Sequence, residues 1–147
     1  MENEFEIEKF ETNVVDALLG AAAFRAEEQL RKIHVIRDER ELFTFKIHGL
    51  NEDEIARCRR QNTRNRGRRD EEVNGSRFTA QLIYEATVAE DKKRLWQNHE
   101  VWEKLNVAGG VDVILKVLTP GEKSRIVEEI EKLSLYDDDL DDLIKNV

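Results

Sequence analysis

The densest group of side chains that could do chemistry is an arginine cluster at residues 57–70, RCRRQNTRNRGRRD. It holds seven arginines and no lysine, in a chain whose formal net charge is −8. Guanidinium groups pair with phosphates or carboxylates through forked hydrogen bonds, so the cluster suits either nucleic acid or an acidic protein surface. No aromatic residue lies between Phe45 and Phe78 to stack on bases, and the sequence pI is near 5.0.

An exposed protein-interaction loop is therefore the first interpretation of the cluster, plain solubility the second and nucleic acid the third. The nucleic-acid alternative is a small regulatory protein that uses the stretch from Arg57 to Arg69. Arg57 and Arg60 could pair with Asp53 or Glu54 along the predicted helix, whereas the arginines of the loop that follows lack such helical partners and are the predicted contacts for an acidic partner. These loop arginines are Arg64, Arg66, Arg68 and Arg69.

The histidines and the cysteine do not match the pattern of a metal or catalytic site. A turn centred near residue 41 would place His34 opposite His48 across a hairpin, but zinc takes at least three protein ligands. His99 follows Trp96 by three positions and is read as a packed or capping residue. Cys58 has no histidine base on a matching element, so a small core residue is the expected role.

Other site motifs are also lacking, and the sequence predicts neither a metal, nor a cofactor, nor an enzyme. The acidic run DDDLDD places Asp137, Asp139 and Asp141 at calcium-loop positions 1, 3 and 5, but Asp142 stands where the loop needs glycine. No phosphate-binding glycine loop, dinucleotide fingerprint or serine-nucleophile motif is present.

The spacing of apolar residues predicts a mainly α (α+β) fold with one β-hairpin near residues 31–50. Residues 12–30 are expected to be helical, and residues 62–78 to form a loop or a second short hairpin with a turn at Asn74-Gly75. Asn51 with Glu54 predicts a capped helix from Glu52 to Gln61. Helical periodicity returns from Phe78, and residues 90–107 bring Leu95, Trp102 and Leu105 onto one helical face.

Two further breaks divide the C-terminal part of the chain. AGG at residues 108–110 ends one helix, and a short helix follows. Thr119 as N-cap, Pro120 at the first helical position and Glu122 three residues after the cap predict the start of another. Its core face is expected to be Ile126, Ile130 and Leu133.

The length and charge distribution of the chain indicate its domain organisation and compartment. We expect a single domain over residues 1–147, with an acidic N-terminal segment at 1–11 and an acidic tail at 136–147. No apolar run reaches the ~20 residues of a membrane span, and the N-terminal residues do not resemble a signal peptide. The single cysteine favours a reducing compartment, so a cytoplasmic protein is expected.

The order of these elements resembles the XkdN-like phage tail assembly chaperones and is close to the YqbN-type members of that family. The resemblance covers roughly residues 30–135. It rests on LFTFKIHGL, the NEDEIARCRRQNT helix, a variable polar loop, NGSRFTAQLIYEATV, and a short helix followed by LTPGE at residues 118–122.

The resemblance implies a non-enzymatic protein of the host cytoplasm that is absent from the finished virion. Its implied partners are the tape-measure protein and the tail-tube protein, and homo-oligomerisation stays open. A long helical tape-measure chain exposes apolar stripes that need temporary cover. The aromatic placement suggests Trp96, Val101 and Trp102 as contacts for such a stripe, by packing of a helix in a groove.

Overall fold

Helices and one long β-hairpin form the part of the chain that the structure describes. The computed structural model describes residues 13–22 and 29–134. The prediction of a mainly α (α+β) fold is confirmed. The acidic segments at 1–11 and 136–147 and the acidic run DDDLDD lie outside the described residues, so the single domain over 1–147 stays a prediction.

The elements are numbered here in chain order. The strands are β1 (Leu30–Arg37), β2 (Arg40–His48), β3 (Thr63–Arg64) and β4 (Glu72–Val73). The helices are α1 (13–22), α2 (Glu52–Gln61), α3 (Gly75–Ala86), α4 (Ala89–Asp91) with the π-helical turn Lys92–Trp96 that continues it, α5 (His99–Leu105), α6 (Gly110–Val117) and α7 (Pro120–Leu133).

The main hairpin forms in the predicted region, but its turn lies at another position. Asp38 and Glu39 form a two-residue turn with φ values of 52° and 62°. Left-handed backbone at both turn positions matches the twist of an antiparallel pair. His34 therefore pairs with Thr44, and His48 pairs with Leu30. The prediction that the two histidines face each other is wrong, because it assumed a turn centred near residue 41.

The local end signals that the sequence carries are realised in the structure. Asn51 and Glu54 form the predicted capping box of α2, and Thr119 and Glu122 form that of α7 behind Pro120. Glu122 also holds the hairpin, since Arg37 Nη2 lies 2.6 Å from its Oε1. The hydrogen bond from Arg37 is the main cause that lowers the pKa of Glu122 to about 2.

The predicted second hairpin is present, but its last residues have another role. β3 pairs with β4 in antiparallel register. Asn74 does not form a hairpin turn with Gly75. Its side chain accepts from the backbone N–H of Arg77, which makes it the N-cap of α3. The helix therefore starts at Gly75, three residues before the predicted start at Phe78.

Residues 90–107 were expected to share one helical face, but the structure forms two separate helical segments there. The π-helical turn ends at Trp96, and Asn98 starts α5 by accepting from the N–H groups of Glu100 and Val101. As an N-cap, Asn98 satisfies the free backbone N–H groups in the first turn of a new helix. The break rotates Trp96 out of the predicted amphipathic face and into the core.

Trp96 is the residue around which the core is arranged. Its side chain is 1 % exposed and contacts the rings of Phe43 and Phe45 edge-on, with centroid distances of 6.1 and 5.3 Å. The indole Nε1–H donates to Thr87 Oγ1 at 2.9 Å, directly after α3. Gly110 opens α6 where a Cβ would lie 3.0 Å from the Trp96 carbonyl oxygen. The hairpin, α3 and α6 thus meet at this residue.

The bond between Trp96 and Thr87 predicts a stability difference between two otherwise similar substitutions. Thr87→Val keeps the shape of the side chain but leaves the buried indole N–H without an acceptor. We expect a loss of about 1–3 kcal/mol in the free energy of unfolding. Thr79→Val is the matched control, because Thr79 Oγ1 donates to the Gly75 carbonyl on the exposed side of the same helix. Urea denaturation measures both, and equal losses in the two variants would contradict the role assigned to Trp96.

Candidate functional site

The largest exposed aliphatic surface in the described chain lies on α1. Val15, Leu18 and Leu19 are 60, 66 and 62 % exposed, and Val14 is 37 % exposed. Val14 with Leu18 and Val15 with Leu19 follow the i, i+4 spacing, so the four side chains share one face of the helix. We call these four residues the α1 stripe. No described side chain covers them.

A smaller aliphatic group lies on the outer face of the main hairpin. Ile36 and Leu42 are exposed near its turn, and Leu30 is exposed at its other end. The register of the ladder shifts between Val35 and Ile36, because β2 has an extra residue, Leu42, opposite this step. Within the described residues, every large hydrophobic side chain that is exposed lies between residues 14 and 42.

Sequence reasoning predicted a helix at α1 but gave it no function. The signal was present as the pairs Val14-Val15 and Leu18-Leu19, followed by small residues at 20–22. In an ordinary domain such a stripe packs on the core, so the pattern alone does not distinguish a buried helix from a docking helix. Only the observed exposure separates the two.

The arginine loop is the second candidate surface. Its predicted contacts, Arg64, Arg66, Arg68 and Arg69, are all exposed around the small β3–β4 hairpin. The loop is shaped by Asn65 and Gly67, whose φ values of 57° and 77° lie in the left-handed region. Asn65 also donates to Asp70 Oδ2 at 3.0 Å.

The loop arginines form no close ion pair within the described part of the chain, although Arg64 lies opposite Glu72 in the β3–β4 ladder. None of the four forms an ion pair with a described residue. Arg57, on the preceding helix, does find an acid: its Nη2 lies 3.7 Å from Glu85 Oε2. The structure thus separates the helical arginine, which has an internal carboxylate, from the loop arginines, which project into solvent.

The three predicted aromatic-region contacts are not brought onto one surface. Trp96 is buried against Phe43, Phe45 and Thr87, so its side chain is not accessible to a partner in this conformation. Val101 is half-buried and packs against the core. The remaining contact, Trp102, is open to a groove.

Trp102 lines a groove of about 580 Å³ between α3, α5 and α6. The His99 ring lies against the Trp102 ring in a tilted arrangement, with a centroid distance of 4.4 Å. The Nε1–H of Trp102 donates to the Trp96 carbonyl oxygen at 2.6 Å. The groove also contains Arg77 and Asp112, whose side chains bond each other at 2.8 Å. Its polar groups are thus largely occupied with one another.

The residues considered for catalysis are held in structural roles. Burial is the main cause that raises the pKa of the Cys58 thiol to about 11, so the thiol stays protonated at neutral pH. His34 Nδ1 lies 2.9 Å from Glu41 Oε1, and His48 Nδ1 lies 2.8 Å from the Gly49 carbonyl oxygen. Among the described residues, no three His, Cys, Asp or Glu side chains are grouped as metal ligands.

The helices of the described chain do not have the length and hydropathy of a membrane span. None of them is both long enough and apolar enough to cross a bilayer. α7, the longest of the helices from α2 onward, carries charged residues along much of its length.

The surfaces described above fall within one family match. A family model described as "Phage XkdN-like tail assembly chaperone protein" matches residues 15–147, which include most of α1 and all later elements. No curated protein and no solved structure matches the chain. Because the family model spans most of the sequence, the chain belongs to the XkdN-like phage tail assembly chaperones.

Proposed function

We propose that this tail assembly chaperone binds the tape-measure protein in the host cytoplasm and covers its apolar stripes until tail-tube protein polymerises around it. The chain catalyses no reaction in this role and leaves before the virion is complete. The observation that carries the proposal is the α1 stripe, four aliphatic side chains exposed together on one helix. The family assignment supports a phage tail protein as the partner.

The energetics favour an apolar partner for the α1 stripe. Burying a Val or Leu side chain is worth about 1.5–3 kcal/mol relative to leaving it exposed. Each of the four side chains therefore makes binding to an apolar partner more favourable, against a cost of association of about 4–15 kcal/mol. An amphipathic helix typically binds by laying its apolar face into a groove or against another helix. A long helical protein with apolar stripes provides that surface.

The arginine loop is proposed as a second contact, for acidic side chains of the tape-measure or tail-tube protein. Arg64, Arg66, Arg68 and Arg69 have no described carboxylate partner, so a partner's carboxylates would not have to displace an existing one. Trp102 and Val101 of α5 are proposed as minor apolar contacts. Like-charged guanidinium groups close together also raise the rate of encounter with an acidic surface.

The α1 proposal predicts that Leu18→Gln/Leu19→Gln weakens binding to the tape-measure protein of the same phage by at least about tenfold. Glutamine has a helix propensity close to that of leucine, so α1 should keep its helicity. Leu42→Gln is the matched control, since Leu42 is also an exposed leucine but lies on β2. Isothermal titration measures the affinities. Unchanged binding by the double variant, with circular dichroism unchanged, would contradict the proposal.

The loop proposal predicts a charge-dependent loss. Replacing Arg64, Arg66, Arg68 and Arg69 by glutamine should slow association with the tail partner and flatten its dependence on salt. Lys116→Gln, on the exposed surface of α6, is the single-site control. Stopped-flow association rates at several salt concentrations measure the effect. If the loop variant instead loses binding to random duplex DNA while its association with tail protein is unchanged, the nucleic-acid alternative is correct.

A further inference from the structure

The two edges of the main hairpin are treated differently by the fold. Lys46 of β2 directs its backbone groups away from β1: its N–H donates to Asp91 Oδ2 at 2.7 Å, and its C=O accepts from Val88 N–H at 3.0 Å. The carbonyl of Thr44 likewise accepts from Arg94. The outer edge of β2 is therefore closed by the segment that follows α3.

The outer edge of β1 has no hydrogen-bonding neighbour among the described residues. Opposed residues of an antiparallel pair alternate between those that exchange hydrogen bonds and those that direct their backbone groups outward. Lys32 is paired with Lys46, and His34 is paired with Thr44, so both direct N–H and C=O groups away from β2. Nothing in residues 13–22 and 29–134 bonds to these groups. Unpaired strand edges of this kind accept further strands.

A groove of about 710 Å³ runs along this open edge, with α7 as its other wall. Every residue from 31 to 36 lines it. Because side chains alternate between the faces of a strand, a groove that meets six consecutive residues must follow the strand edge. These residues span about 17 Å, the length of five or six residues of extended peptide.

The lining of the groove specifies the side chains of an added strand. On the outer face, a new side chain would lie beside Lys32, where an acidic residue is favoured, whereas His34 already contacts Glu41. On the inner face they would lie beside Ile33 and Val35 and opposite Ile126 of α7, where aliphatic residues are favoured. Glu122 and Glu129 of the helix wall are already bonded to Arg37 and Arg31.

The β1 strand of a second copy fits the groove poorly. β1 has the sequence LRKIHVIR, with three fixed positive charges and no acid. Antiparallel pairing of two β1 strands would place like charges beside one another across the new ladder, which destabilises a sheet. The charge of the strand therefore selects an acidic occupant over a copy of itself.

We propose that the open edge of β1 binds an extended segment of a partner protein in which acidic and aliphatic residues alternate. The segment adds a third strand to the hairpin: its backbone pairs with Lys32 and His34, and its aliphatic side chains enter the groove beside α7. This site is separate from the α1 stripe and does not depend on the identity of the tail partner.

The test uses the full chain and the labelled peptide Glu-Val-Glu-Val-Glu-Val-Glu, followed by fluorescence anisotropy. Saturable binding is expected. His34→Pro removes an outward N–H that the β1–β2 ladder does not use, and should weaken binding about tenfold. His34→Ala keeps that N–H and should bind within about twofold of the unchanged chain. Leu18→Gln/Leu19→Gln should bind the peptide normally, which separates this site from the tape-measure proposal.

A charge variant keeps the test decisive if His34→Pro does not fold. Lys32→Glu should weaken the acidic peptide about fivefold and favour Lys-Val-Lys-Val-Lys-Val-Lys instead. Equal binding of the two peptides to the unchanged chain, or unaltered binding by both variants, would overturn the proposal. A dimer in sedimentation that His34→Pro dissociates would also overturn it, because the occupant would then be a second copy.

Discussion

The described fold depends most on the buried indole of Trp96 and the contacts that surround it. A tryptophan side chain removes more apolar area from water than any other, but its N–H must find an acceptor when it is buried. Thr87 provides that acceptor at the end of α3, and the rings of Phe43 and Phe45 cover the indole from the hairpin. The backbone carbonyl of Trp96 accepts from the indole N–H of Trp102. One residue thus connects the hairpin to α3 and α5.

This arrangement explains why the open surfaces lie where they do. The hairpin packs its Phe43 and Phe45 face on the helices, and the segment from Thr87 to Arg94 closes the outer edge of β2. Neither the outer face of the hairpin nor the edge of β1 gains a described neighbour in this way. Together with α1, these surfaces hold the exposed large aliphatic side chains of the described chain. The core therefore needs one side of the hairpin and leaves the other side available to partners.

The features that the sequence predicted well are those set by residues close together in the chain. Asn51 with Glu54, and Thr119 with Pro120 and Glu122, satisfy the backbone donors of their own first turns, so the helix starts follow from local chemistry. The hairpin was recognised from alternation, although its turn was misplaced because Asp38 and Glu39 adopt left-handed backbone without a glycine. The arginine loop was found by composition alone.

The features that were missed depend on tertiary contacts. The aromatic placement suggested Trp96 as a contact for a partner, whereas its side chain packs on Phe45 and is buried before the new helix starts at the Asn98 cap. The aliphatic pairs of α1 are equally typical of a core helix, and only their exposure indicates a docking surface. The open edge of β1 follows from hydrogen bonds that Val88, Asp91 and Arg94 make to the other strand, which no spacing rule predicts.

We propose that this tail assembly chaperone holds its tape-measure partner through α1 while its core stays unchanged. Hydrogen–deuterium exchange of the full chain, with and without the tape-measure protein of the same phage, tests that claim most directly. We expect slower exchange of the amides in residues 13–22 in the complex and unchanged exchange in α3 and α7. A complex that forms without any slowing in residues 13–22 would contradict it.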